Sequence, residues 1–185
     1  MRTNIEPYKY RVVGCHVQYI IMCGKCVITA FLLCLTWSVC VDGWWSSRSK
    51  VSGSTIARTA NKYIGSTTWS YASPHKTGAN TNKCNIFVAE VLEEAGATVP
   101  QRHWYTWSPI GAGEWGNARS TYLTKDPCWN STTSSRSGDV IGDGVHVGIV
   151  TGSRNTTSAR RDKIVRNDFG FRAVQKPMTL WRYVC

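Results

Sequence analysis

The sequence predicts an α+β fold. Two stretches of helical periodicity come first, at about residues 55–64 and 83–95. Short apolar runs separated by turn signals follow, from residue 139 onward. Helices first and then a meander of antiparallel strands is the α+β pattern. A chain of 185 residues suits one folded domain, and no internal repeat divides it.

The chain opens on a leader. Cys26 to Trp37 is a short apolar run with Lys25 just before it, and Ser38-Val39-Cys40 offers short side chains where a signal peptidase reads. Residues 1–40 therefore read as a secretory signal peptide cut before Val41. Met22 would itself make a signal start, leaving residues 1–21 as an upstream extension. The rival reading is a membrane anchor, but the run falls short of the roughly 18–20 apolar residues a span needs. Cys23-Gly24-Lys25-Cys26 has redox-motif spacing but lies within this leader.

Residues 41–53 are a Ser-rich lead-in, and residues 54–185 form the expected domain. Its first helix runs from Thr55 to Ile64. Ser54 is the expected cap, Ile56, Ala60, Tyr63 and Ile64 the apolar side, and Gly65 the stop. Residues 66–82 are a polar loop carrying Trp69 and Tyr71. A second helix starts at about Lys83 with Asn82 as its expected cap. Ile86, Phe87, Val88, Ala89, Val91, Leu92 and Ala95 cover most of its circumference, so it is buried on several sides. Residues 100–137 are aromatic and turn-rich, an irregular excursion with at most short helices. Strands are expected at Asp139–Ile141, Val145–Val150, Lys163–Asn167 and Trp181–Val184, with 151–162 as a polar hairpin loop.

Removing the leader leaves three of eight cysteines: Cys84, Cys128 and Cys185. An oxidising compartment pairs two of them. Cys128 in a loop and Cys185 at the terminus make the better disulfide, which leaves Cys84 free. The sequons at Asn130 and Asn155 lie in Ser/Thr-rich stretches and, if glycosylated, mark surface loops. The formal charge is +11; losing the leader takes four of 22 basic and one of 11 acidic residues, leaving +8. That balance favours anionic partners without choosing among them. Arg160, Arg161 and Lys163 form a visible cluster that reads first as a solvated charged loop.

Cys84 stands at a helix start, where the helix dipole stabilises a thiolate, and His146 follows on a strand, where an imidazolium would do so more strongly. The pair is the expected nucleophile and base. Against it stand a buried structural thiol and a satisfied core histidine, both common. A third polar group would orient the imidazole; Asn167 is the candidate and Asp168 the rival, on opposite faces of a regular strand. His75 lies in a turn and His103 in the aromatic loop. Paired short-spacing ligands of a closed zinc site are absent, so neither a metal nor another cofactor is expected.

Ala57 to Gly65, the aromatic loop, the helix from Cys84 to Gly96 and Gly138-Asp139-Val140-Ile141 ahead of His146-Val147-Gly148-Ile149-Val150 together resemble the NlpC-type cell-wall peptidases. They are also similar to CHAP amidases. Within that group the chain looks most like the second family of type VI secretion amidase effectors and their secreted eukaryotic homologues, the domesticated amidase effectors. The resemblance spans Ser54 to Asn167. It implies a papain-like core, with the nucleophile at the start of a central helix packed on an antiparallel sheet. It also implies amidase activity on peptidoglycan stems or crosslinks, with Cys84 as nucleophile, His146 as base and Asn167 as third member. Trp69 and Tyr71 then fall where the substrate groove is lined, although their order departs from the family pattern and plain packing explains them equally well. The expected partner is bacterial peptidoglycan, not nucleic acid. The expected state is a secreted monomer with no stable membrane association once the leader is gone. A non-catalytic cationic peptidoglycan-binding or antimicrobial protein is the alternative. A nucleic-acid binder is a third, disfavoured by the leader and the lack of a binding motif.

Overall fold

The structure, a computed structural model, describes residues 50–169, 171, 174 and 176–185. The expected leader, its cleavage point and most of the lead-in lie outside the described residues. Ser49–Cys185 form one compact unit, mixed helix and antiparallel sheet as the sequence predicts.

Helix α1 spans Gly53–Lys62 and helix α2 Cys84–Glu94; two single-turn helices follow, α3 at Ala112–Trp115 and α4 at Thr121–Thr124. The strands are β1 (Trp129–Thr132), β2 (Val140–Gly142), β3 (Val147–Gly152), β4 (Asn155–Ala159), β5 (Ile164–Asp168) and β6 (Thr179–Tyr183). Among the described residues they make one antiparallel sheet in the order β1-β6-β2-β3-β4-β5. No helix among them is long and apolar enough to cross a membrane.

α1 starts two residues earlier than expected. Its cap is Ser52, in extended geometry, whose hydroxyl accepts the Thr55 N–H at 3.1 Å. The helix ends before Ile64, which is about half exposed at 48% and not part of the buried side. α2 starts at Cys84 with Lys83 as its cap residue and no side-chain capping bond, so Asn82 does not cap it. Seven of its eleven residues are buried. Burying Phe87, Val88, Val91 and Leu92 contributes about 1.5–3 kcal/mol each. The helix packs on α1, β3 and β4 at once, which is why its apolar residues run almost all round. Gly96, at φ +90°, stops it, and the Ala97 N–H closes back on the Leu92 carbonyl at 2.9 Å.

Two strands lie where sequence reading expects none. β4 falls inside the expected hairpin loop, and β1 inside the irregular excursion. Neither alternates apolar with polar residues. β4 is Asn-Thr-Thr-Ser-Ala, yet Thr156, Thr157 and Ser158 are fully buried. Threonine suits a strand through its branched Cβ, and Thr157 is satisfied by donating to Asn61 Oδ1 at 2.7 Å. Both sequons therefore lie in strands, not loops: Asn130 is exposed on edge strand β1 and Asn155 is half-buried at the start of β4.

The sheet carries a cluster on each face. Val140, Val147, Ile149, Ile164 and Trp181 meet the helices. Ile141, Val150 and Leu180 meet Phe169, Phe171 and Met178 on the other side. An aromatic group closes the β1 end: Trp115 and Trp129 have ring centroids 5.0 Å apart, Trp129 and Tyr183 5.2 Å, and the Trp181 indole donates to the Trp115 carbonyl at 3.1 Å. Cys128 and Cys185 are disulfide-bonded across 57 residues, tying the chain end beside β1 as the cysteine arithmetic predicts. Asp139 is structural: its carboxylate is almost fully buried and takes both arms of Arg182 at 2.8 Å, joining the β2 entry to β6. Gly138 beside it, at φ +91°, touches Gly53; a Cβ there would lie 2.3 Å from the Gly53 Cα, so the start of α1 and the approach to β2 exclude any side chain.

Candidate functional site

A cavity of about 320 Å3 opens where the start of α2 meets the start of β3. Its walls come from four segments. Loop 66–82 and the α2 start contribute Trp69, Tyr71, Asn82, Lys83 and Cys84. Val145 and His146 lead into β3. Ala159, Arg160 and Arg161 leave β4, and Phe171 closes the last side. Cys84 and His146, 62 residues apart in sequence, thus face one space.

The register explains this convergence. β3 pairs with β4 so that Ile149 meets Thr157, and continuing that register brings His146 level with Arg160. Cys84 is the free cysteine among the described residues and is 6% exposed. Its thiol lies against the backbone N–H of Val147, the residue after His146, as well as the N–H groups of Asn85 and of Cys84 itself. The His146 N–H donates to Asp143 Oδ1 at 2.7 Å, and the imidazole meets the Phe171 ring edge-on at 4.6 Å.

The electrostatics depart from a thiolate poised at a helix end. Burial pushes the Cys84 thiol above its ordinary pKa, and the Asp143 carboxylate pushes it further the same way. The backbone N–H groups of Val147, Asn85 and Cys84 pull it down without overcoming the burial. The resting site therefore holds a protonated thiol at neutral pH. Asp143→Asn keeps an oxygen for the Val145 and His146 N–H groups that Oδ1 now accepts, and it removes the negative charge. The expected result is faster alkylation of Cys84 by iodoacetamide at pH 8, by roughly three- to tenfold, with the midpoint of the pH–rate curve moved down. A midpoint that stays put or moves up would show that Asp143 does not act on the thiol.

Asn167 does not join the pair. β5 pairs with β4 so that Asn167 lies opposite Thr156, and Thr156 lies opposite Val150. Val150 is four residues along β3 from His146, roughly 13 Å at strand rise. Asp168, opposite Asn155, is one residue further off still. Chain order carries no information about this offset. The carboxylate that the fold does bring to Cys84 and His146 is Asp143. In the sequence it is only the centre of a Gly-Asp-Gly turn, a residue type that often bonds its own backbone two residues on.

Trp69 and Tyr71 both reach the cavity, but in different ways. Trp69 is 5% exposed and packs edge-to-face on Tyr63 at 4.8 Å and Phe87 at 5.3 Å, so packing dominates. Its indole donates to Glu90 at 2.6 Å, and the same carboxylate holds His75 Nε2 at 2.9 Å. Glu90 thereby fastens the rim loop to α2; a lone acid on an otherwise apolar helix stretch is its sequence signal. Tyr71 is half-buried, with the Arg161 guanidinium 4.6 Å above its ring and its N–H on the Arg161 carbonyl at 2.8 Å.

Lys83 is the largest surprise. It is 2% exposed, and its ammonium donates to the Gly78 carbonyl at 2.9 Å, the Thr81 hydroxyl at 3.0 Å, the Thr81 carbonyl at 3.2 Å and the Ser70 carbonyl at 3.4 Å. Burial lowers its pKa. Phe171 also went unread in the sequence. It holds φ +66°, a left-handed backbone that a bulky residue rarely adopts, and its carbonyl accepts Arg160 Nη1 at 2.7 Å. Arg160 and Arg161 are exposed, as expected of a solvated charged loop, and they also line the cavity wall. Among the described residues no cluster of three His, Cys, Asp or Glu is placed to hold a metal ion. No family model, curated protein or solved structure matches this chain.

Proposed function

We propose that this chain is a secreted thiol-dependent amidase that hydrolyses peptide-stem or crosslink amide bonds of bacterial peptidoglycan, built on a papain-like arrangement. One observation carries the reading: a free cysteine at the start of a buried helix and a histidine entering a sheet strand face the same cavity, with no metal cluster among the described residues. The resemblance of Cys84–Gly96 and Gly138–Val150 to NlpC-type sequences supports the substrate class.

The chemistry follows from the thiol's high pKa. Cys84 enters as the thiol and gives its proton to His146 as its sulfur attacks the amide carbonyl. The imidazolium protonates the leaving amine, and His146 then activates water against the thioester. Backbone N–H groups at the α2 start, with the Asn82 side chain, meet the developing oxyanion. Asp143 sets the turn from which His146 projects. The chain's positive charge raises its local concentration on an anionic wall.

A second reading, a non-catalytic cationic binder, draws on one feature. Trp104 is 95% exposed and Tyr105 70% exposed, on a projecting turn closed by the Gln101–Pro109 bridge. Mass spectrometry of the soluble fragments released from defined peptidoglycans separates the two. An amidase leaves muropeptides with one new carboxyl and one new amine per cut, and their masses identify the bond. Binding to sacculi without such fragments would leave only the binder.

A further inference from the structure

The cavity carries more positive charge than a thiol and an imidazole require. Lys83, Arg160 and Arg161 line it, and the one carboxylate acting on its thiol is Asp143. The three cations are not equivalent. The Lys83 ammonium is spent on the four acceptors of the rim loop and contributes field, not contact. Arg160 spends one N–H on the Phe171 carbonyl. Arg161 spends none: among the described residues no carboxylate or carbonyl accepts from its guanidinium, whose central carbon lies over the Tyr71 ring, 4.6 Å from its centroid. A ring contact of this kind uses up no acceptor-seeking N–H, so the guanidinium keeps its fork, which matches two oxygens. The backbone beneath is fixed as well, because the Arg161 carbonyl takes the Tyr71 N–H at 2.8 Å and the Arg160 N–H closes on the Lys163 carbonyl at 3.0 Å.

We propose that Arg161, braced on Tyr71, is a carboxylate subsite, so that the cavity selects an amide whose acyl side carries a free carboxylate a few bonds from the carbonyl facing Cys84. This rests on the amidase reading for what happens to that bond, but not for the binding itself. An amidated substrate would bring a carboxamide whose N–H groups face the arginine fork and find no acceptor there, a mismatch that discriminates against it.

The test uses two probes that differ at one group: acetyl-L-alanyl-γ-D-glutamyl-L-lysine with the glutamyl α-carboxylate free, or converted to its carboxamide. Binding is measured by calorimetry on the Cys84→Ala protein, so that no turnover intervenes, and hydrolysis is followed in parallel on the wild type. The free carboxylate is expected to bind about tenfold tighter. That ratio should collapse towards one when Arg161→Gln is added, and persist with Arg58→Gln, an exposed charge on α1. Equal affinities before Arg161 is changed, a ratio that survives Arg161→Gln, or binding of neither probe overturns the subsite. A tenfold ratio without hydrolysis of any peptidoglycan fragment upholds the subsite and sinks the amidase. Hydrolysis without a ratio does the reverse.

Discussion

The Cys84→Ala protein is expected to fold as the wild type does and to release no soluble muropeptides from purified sacculi. Losing a covalent nucleophile should cost on the order of 10^4-fold or more in rate. The fold should tolerate the change because alanine removes only one sulfur from a site that borders a cavity, and Cys84 caps no helix and bonds no other cysteine. A stability loss of about 1 kcal/mol is the scale for such a truncation. Thermal melts of both proteins, run beside the digestion, keep the result interpretable. An alanine variant that digests sacculi as fast as the wild type removes Cys84 from the chemistry altogether.

Trp181→Ala should have the largest effect on stability. Trp181 is 1% exposed on β6, paired across to Ser131 on β1 and Val140 on β2, so it sits where the sheet's two halves join. Alanine empties an indole-sized space and strips the Trp115 carbonyl of its 3.1 Å partner. Truncations of this kind cost about 3–5 kcal/mol, a large part of the 5–15 kcal/mol a domain of this size usually holds. Urea unfolding should show that loss, with Trp181→Phe recovering most of the packing but not the hydrogen bond. A loss under about 1 kcal/mol for the alanine variant would contradict the placement of Trp181 at the core.

The two long helices and four of the strands were legible because burial on one side imprints a period on the sequence. α2 shows its near-total burial through its almost uniformly apolar face, and β2, β3 and β5 show theirs through Val and Ile. β4 was not legible, because its buried positions are hydroxyl side chains, and among the described residues only Thr157 has a distant partner, Asn61, to explain its place. Cys84 and His146 could be named from residue type and local context. Asn167 and Arg161 could not be sorted, because their distances from His146 depend on strand register, and Asp143 passed as an ordinary turn residue. Asn167 looks suitable and lies four residues too far along the sheet. Arg161 looks like solvated charge and lands on the cavity wall at the far end of β4.

Lys83 and Cys84 are neighbours in sequence but belong to opposite ends of the molecule's stability range. Cys84 opens the helix with the most complete burial, whose amides should exchange with solvent deuterium only when the whole domain unfolds. Lys83 ends a loop with no helix or strand of its own, held by its ammonium, by Glu90, by the buried Trp69 and by the Tyr71 N–H on the Arg161 carbonyl. Such loops open at far lower free energy. Cys84 is thus clamped in place while the exposed part of the loop, away from Trp69 and Tyr71, stays free to be recast. Substitutions at exposed loop positions such as Thr77 and Ala79 would then reshape the loop without displacing the Cys84 sulfur.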